Sequence, residues 1–165
     1  EMPFGKGRRF GTGSSAAMDA LMGGWQLQGI YSYQTGFPVT GWGNLIFTGN
    51  LDDIAVSDPT LTRWFNTDAG FNKVSGQQLG SNVRTFPLRI DSVRGDAVNN
   101  VDLSVIKNVN FANSHKFQFR FEAINALNYT VLWNPDTNPR NATFGFINQD
   151  RNNPRDLQIG ARFTF

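Results

Sequence analysis

The stretch KFQFRFEA, residues 116–123, decides the fold. Phe117, Phe119, Phe121 and Ala123 fall to one side of an extended chain, and Gln118, Arg120 and Glu122 to the other, because successive side chains of a strand point to opposite faces. The run before it repeats the pattern. Val101, Leu103 and Val105 oppose Asp102 and Ser104, and a short turn at 112–115 joins the two runs. At the end of the chain Leu157, Ile159, Ala161, Phe163 and Phe165 alternate with Gln158, Gly160, Arg162 and Thr164. Upstream, Trp25, Leu27, Gly29, Tyr31 and Tyr33 alternate with Gln26, Gln28, Ser32 and Gln34, with Ile30 as the exception. Gly36 and Pro38 weaken that strand toward its end.

Working outward, the pattern predicts strands near residues 5–12, 24–40, 98–112, 116–131 and 155–165, with long polar segments at 41–97 and 132–154. Residues 14–22, SSAAMDALM, predict a helix. Ala17, Met18, Leu21 and Met22 share one face at helical spacing, Ser14 or Ser15 can cap it, and Gly23 and Gly24 end it. Residues 61–65, LTRWF, suggest a helical turn that Asp58 could cap.

The connections alternate in length, short near 112–116 and long at 41–97 and 131–155. Outer-membrane barrels have short periplasmic turns and long extracellular loops. On that parity the strands from 24 and 116 run outward, those from 98 and 155 run inward, and the helix lies on the periplasmic side. Trp25, Tyr31, Tyr33, Phe111, Phe117 and Phe165 lie at or near strand ends, where an interfacial girdle belongs. The expected class is all-β: antiparallel up-and-down strands forming part of an outer-membrane β-barrel, with long external loops and one short periplasmic helix. About five strands cannot close a barrel, since the smallest have eight. The chain is therefore expected to pair with further strands, with copies of itself or with another protein.

Composition agrees. Charged residues make up 17% and hydrophobic ones 39%, below the soluble averages of about 25% and 45–50%. Fifteen Phe, four Trp and three Tyr accompany 17 Gly. Such a mixture suits a membrane barrel or a β-sandwich and fits a helical bundle poorly. The net charge is +2, and the one tight basic group is Lys6, Arg8 and Arg9, so no nucleic-acid partner is expected. There is no cysteine, which excludes a disulfide scaffold and a cysteine metal site. No apolar run is long enough for a spanning helix, so a membrane would be crossed by strands. Residues 1–4, EMPF, read as the middle of a gene, so the chain is expected to be a fragment or a processed product.

Four stretches carry a family resemblance: MPFGKGRRF at 2–10, GGWQLQGIYSYQTGFPVT at 23–40, NVDLSVIKNVNF with FQFRFEAINALN within 100–128, and DLQIGARFTF at 156–165. Together they resemble the C-terminal barrel of TonB-dependent receptors, particularly the large Oar-like subgroup. The resemblance covers the order of half the chain and makes residues 1–165 the C-terminal portion of such a barrel. It implies a many-stranded barrel around an N-terminal plug and import of a scarce ligand driven by the inner-membrane TonB complex. The implied partners are outer-membrane lipid, the remaining strands and the plug. A terminal aromatic such as Phe165 is similar to the signal read by the barrel-assembly machinery. Residues 125–133, NALNYTVLW, depart from the family's aromatic-Asn-His pattern, and the plug, the TonB box and most strands lie outside this sequence. The rival reading is a fragment that self-assembles by strand addition into an oligomer or extracellular fibre, since exposed edges template pairing. A soluble carbohydrate-binding β-sandwich is a third, weaker option.

Neither reading is an enzyme, and no cofactor is expected. His115 is the only histidine, and in a turn it is a solvated residue sooner than a base, which needs an orienting partner. Residues 5–7, GKG, lack P-loop spacing. Asp52, Asp53 and Asp58 could offer carboxylates to calcium, but without EF-hand spacing they read as ordinary loop acids, and no metal is expected. Arg120, Glu122 and Arg162 fall on polar faces that would line a lumen, where Glu122 is expected to pair with Arg120 or Arg162. Trp42, Trp64, Phe65 and Phe71 could stack on a ligand or pack the first long loop on itself, and the sequence does not choose between these.

Overall fold

Where the alternation is cleanest, the chain forms its larger sheet. The structure, a computed structural model, describes residues 2–13, 15–78, 84–111 and 115–165. Its elements in chain order are a helix α1 (Ala16–Met22) and strands β1 (Trp25–Gln34), β2 (Pro38–Thr40), β3 (Arg89–Arg94), β4 (Val98–Phe111), β5 (His115–Ile124) and β6 (Asp156–Thr164). The larger sheet has four strands in the order β1-β4-β5-β6, and β2 pairs with β3 in a second. Among the described residues no helix is long and apolar enough to cross a membrane. Strands β1, β5 and β6 hold 10, 10 and 9 residues, the length a tilted strand needs to span a bilayer, about 9–11.

Pairing in the larger sheet is antiparallel. Across β4 and β5, Leu103, Val105 and Val109 face Ala123, Phe121 and Phe117. Across β5 and β6, Phe117, Phe119, Phe121 and Ala123 face Phe163, Ala161, Ile159 and Leu157. The Asn108 N–H donates to the Gly24 carbonyl, while Gly29 lies against Leu103, so β1 runs antiparallel to β4. Gly24 has φ +71°, and a Cβ there would sit 2.2 Å from the Asn108 carbonyl oxygen. Only glycine allows this approach.

The chain divides into two compact units. The first, Glu1–Ser32 with Asn99–Tyr129 and Asn153–Phe165, holds α1 and most of the four-stranded sheet. The second, Tyr33–Val98 with Thr130–Asn152, holds β2, β3 and both long segments. It has its own core, in which Val39, Trp42, Leu45, Ile54, Phe65, Phe71, Phe86, Ile90, Val93 and Phe144 are buried together.

Several expectations are corrected. No strand forms near 5–12; Phe4 and Phe10 make an isolated parallel bridge instead, because Gly5 and Gly7, at φ +114° and +77°, loop the chain between them. The stretch 24–40 splits in two. β1 stops at Gln34, and Pro38, which has no N–H to give a ladder, opens β2 at an irregularity in register. The strand expected over 116–131 ends at Ile124, because Asn125 and Asn128 take φ 51° and 52°, left-handed values that asparagine tolerates better than most residues. Residues 61–65 are no helical turn: Thr60 and Arg63 pair across a tight turn with reciprocal backbone bonds of 3.0 and 3.1 Å. The segment 41–97, expected as a long polar loop, contains β3 and supplies most of the second unit's core. Ser15 caps α1 by accepting from the Met18 N–H at 3.3 Å. Ser14 and the turn residues 112–114 lie outside the described residues.

Candidate functional site

The four-stranded sheet has two chemically different faces, fixed by register. One carries Leu103, Val105 and Val109 on β4, the Phe117–Ala123 row on β5, and Leu157, Ile159, Ala161 and Phe163 on β6. These side chains are not sealed in a core. Phe121 is 44% exposed and Ile159 77%, and Leu157 and Phe163 are exposed too. An apolar patch of this extent on water is unfavourable by about 25 cal/mol per Å², so the face calls for lipid or another chain.

Lys107 breaks the pattern, because register places it on this apolar face opposite Phe119. The residue is only 7% exposed. Its ammonium donates to the Leu21 carbonyl at 3.0 Å and to the Gly23 carbonyl, at the C-terminal end of α1. It also lies 4.9 Å from the Trp25 ring centroid. Carbonyls at a helix C-terminus and an aromatic face are both favourable partners for a cation. Sequence reasoning passed over Lys107, and the signal was the adjacent Ile106: the two are exchanged relative to the alternation, and Ile106 is the buried residue opposite Arg120.

The opposite face holds Gln118, Arg120, Glu122, Gln158 and Arg162. Arg120 Nη1 lies 3.7 Å from Glu122 Oε1. Register sets Arg162 across from Gln118 and Glu122 across from Gln158, so the carboxylate pairs along its own strand with Arg120 and not with Arg162. Both partners are substantially exposed, and such pairs contribute about 0–1 kcal/mol. Asp102, also on this side, accepts from the Asn125 N–H at 2.9 Å. The buried Asn125 in turn exchanges two 2.9 Å bonds with Tyr129, which closes the turn after β5.

Of the two readings open for the loop aromatics, the burial pattern agrees with packing and not with ligand stacking. Trp42 is 1% exposed, and Phe65 and Phe71 are buried with it. The Trp42 ring stacks on Phe71 at 5.8 Å and meets Phe65 at 5.0 Å. Rings that enclose one another have no face left for a ligand, so packing of the loop on itself is what occurs. Trp64 packs on the same core, and its Nε1 donates to the Arg94 carbonyl at 2.7 Å. His115 opens β5 instead of lying in a turn, its ring 5.8 Å from that of Phe163. Phe165 follows β6, 6.1 Å from Phe163 and almost fully exposed. Asp52 and Asp53 sit in a short 3₁₀ turn capped by Asn50. Among the described residues no three His, Cys, Asp or Glu gather as metal ligands.

One comparison with known proteins gives a result: the family profile described as an outer membrane beta barrel domain matches residues 1–158. The chain belongs to that family. Neither curated proteins nor solved structures give a match. An outer membrane barrel domain places the protein in the outer membrane of a Gram-negative bacterium, and its antiparallel, two-faced sheet has the form such a wall requires. The family suggests a structural or transport role sooner than an enzymatic one.

Within the barrel domain's loop unit, Asp136 organises the second long segment. Its carboxylate accepts from the Asn138 N–H at 2.9 Å, the Asn141 amide at 2.9 Å and the Thr143 hydroxyl at 2.7 Å. Burial works to raise its pKa, but these donors together outweigh it and hold the carboxyl below its ordinary value. A depressed pKa stabilises the fold above the unfolded-state value and ceases to do so as pH falls through the folded one. Loop protection against hydrogen exchange at residues 136–146 is thus expected to persist to pH ~4 and fall below it. Asp136→Ala should remove that acid transition and cost about 1–2 kcal/mol at neutral pH.

Proposed function

We propose that this chain is wall and external-loop section of an outer-membrane TonB-dependent transporter that binds and imports a scarce ligand. The observation carrying the reading is the open sheet whose apolar face is exposed along three strands while the opposite face is polar. Lipid covers the first, and a lumen with its plug receives the second, where Arg120, Glu122 and Arg162 lie. Backbone groups left unpaired in lipid cost several kcal/mol each, so β1 and β6, the edges of the sheet, pair with the remaining strands of the parent receptor. Energy comes from the TonB complex acting through that parent. The residue parity supports the reading: β1 and β5 finish at the end where β4 and β6 begin, so both long segments leave the external side.

The same two edges favour a second reading, in which the chain self-assembles by strand addition into an oligomer or extracellular fibre. Fractionation separates the two. Outer membranes that release the protein only to detergent, as a band whose gel migration changes on heating, together with ligand uptake that stops when the TonB complex is deleted, support the transporter. Sedimentable filaments formed without detergent overturn it in favour of assembly.

A further inference from the structure

The loop unit carries a cleft of about 430 Å³ that none of the sequence candidates occupies. We propose that this cleft binds an acidic saccharide, a pyranose chain bearing carboxylates. The proposal rests on the reading of these loops as the external surface.

Two short ladders aim the lining residues. In the β2–β3 pair, Val39 faces Ile90 and both are buried, so the next pair, Thr40 and Arg89, points away from the core. In the other, Leu132 bridges Asp150, the Trp133 N–H donates to the Gln149 carbonyl at 3.0 Å, and the Arg151 N–H to the Val131 carbonyl at 2.7 Å. Trp133 and Arg151 therefore leave one side of that ladder and Asp150 the other. Phe37, Thr40, Arg89, Trp133, Asn134 and Arg151 converge on the cleft.

The combination is selective. Trp133 is 50% exposed and Phe37 is comparably open, and both line the cleft. Flat π faces carry partial negative charge and suit the C–H face of a sugar ring. Two guanidinium forks match carboxylates in a way a point charge cannot. Arg89 has one described partner, Asp91 at 3.6 Å, and both are well exposed, so the pair opens readily. Thr40 and Asn134 add a hydroxyl and an amide for sugar hydroxyls. A simple inorganic anion would have no use for the rings, and a neutral sugar could accept from the guanidinium N–H groups but would leave their charge unmatched. The volume falls within the ~300–1,000 Å³ of ordinary ligand sites.

The test titrates outer-membrane vesicles carrying the protein with labelled oligogalacturonate and with a neutral galacto-oligosaccharide of equal length, using protein-free vesicles as baseline. The acidic chain is expected to bind, and the neutral one at least ~10-fold more weakly. Trp133→Ala and Arg151→Ala should each lower affinity for the acidic chain about tenfold, and Asp91→Asn should raise it. Arg89→Ala, at an exposed position, gives the same reading should Trp133→Ala fail to assemble. Equal binding of both saccharides, no binding of the acidic one, or unchanged affinity in the arginine variants overturns the proposal. Binding is read without uptake: vesicles that bind while cells do not import would sink the transporter and leave the cleft, and import without binding would do the reverse.

Discussion

Phe121→Arg is expected to abolish stable assembly in the outer membrane, while Gln118→Arg, three residues away, leaves assembly close to wild type. Phe121 sits mid-strand in β5 with Val105 on one side and Ile159 on the other. All three point to the face that is apolar and open. An arginine at the midplane of the lipid face costs roughly 2–4 kcal/mol, about 30- to 1,000-fold in the assembled ratio. Arginine as such is no obstacle in this strand, because Arg120, the preceding residue, is native and points the other way beside Glu122. The contrast therefore tests facing rather than charge content. The measurement is the heat-modifiable fraction in purified outer membranes, with the urea midpoint of what assembles. Equal assembly of the two arginine variants would remove the Phe row from lipid and with it the membrane reading.

That facing was legible in the sequence because a strand's period of two needs no tertiary information. Each of β1, β4, β5 and β6 was read from its own residues, and the register then matched apolar to apolar across three strands. What was not legible follows from the same logic. Lys107 sits on the apolar face because partners 84 and 86 residues away, Gly23 and Leu21, receive its ammonium, and no local pattern carries that. The segment 41–97 reads as polar loop because its core residues, such as Trp42, Phe65, Phe71 and Phe86, follow no period. Such a core is assembled by long-range aromatic contacts, which periodicity cannot detect. The boundary errors near 34–38 and 124–125 came from proline register and left-handed asparagines, single-residue effects that propensity averages away. For the candidate site, the sequence draws attention to aromatics in the first long loop but cannot separate buried rings from open ones. Trp42 and Trp133 look alike as letters and are 1% and 50% exposed.

That difference supports the second large prediction. Trp42→Ala is expected to unfold the loop unit while the four-stranded sheet stays intact. Deleting a buried Trp or Phe side chain costs about 3–5 kcal/mol, and here the ring is lost from contact with Phe65, Phe71 and Phe86, at 5.0, 5.8 and 5.3 Å. The deletion also strands the Val39 carbonyl, which accepts from Trp42 Nε1 at 3.0 Å, an added penalty of about 1–3 kcal/mol where no water reaches it. Domains are stable by only ~5–15 kcal/mol, so one substitution removes a large part of what holds this unit. Protease added to intact cells should then cut within 41–97 in the variant and not in the wild type, while β4, β5 and β6 keep their protection. Trp133→Ala, with its ring already half in water, should leave the cleavage pattern unchanged. The two readings of Trp42 thus separate in one experiment. A ligand-stacking tryptophan would lose binding with its loops still protected, whereas a core tryptophan loses protection first and any binding only as a consequence.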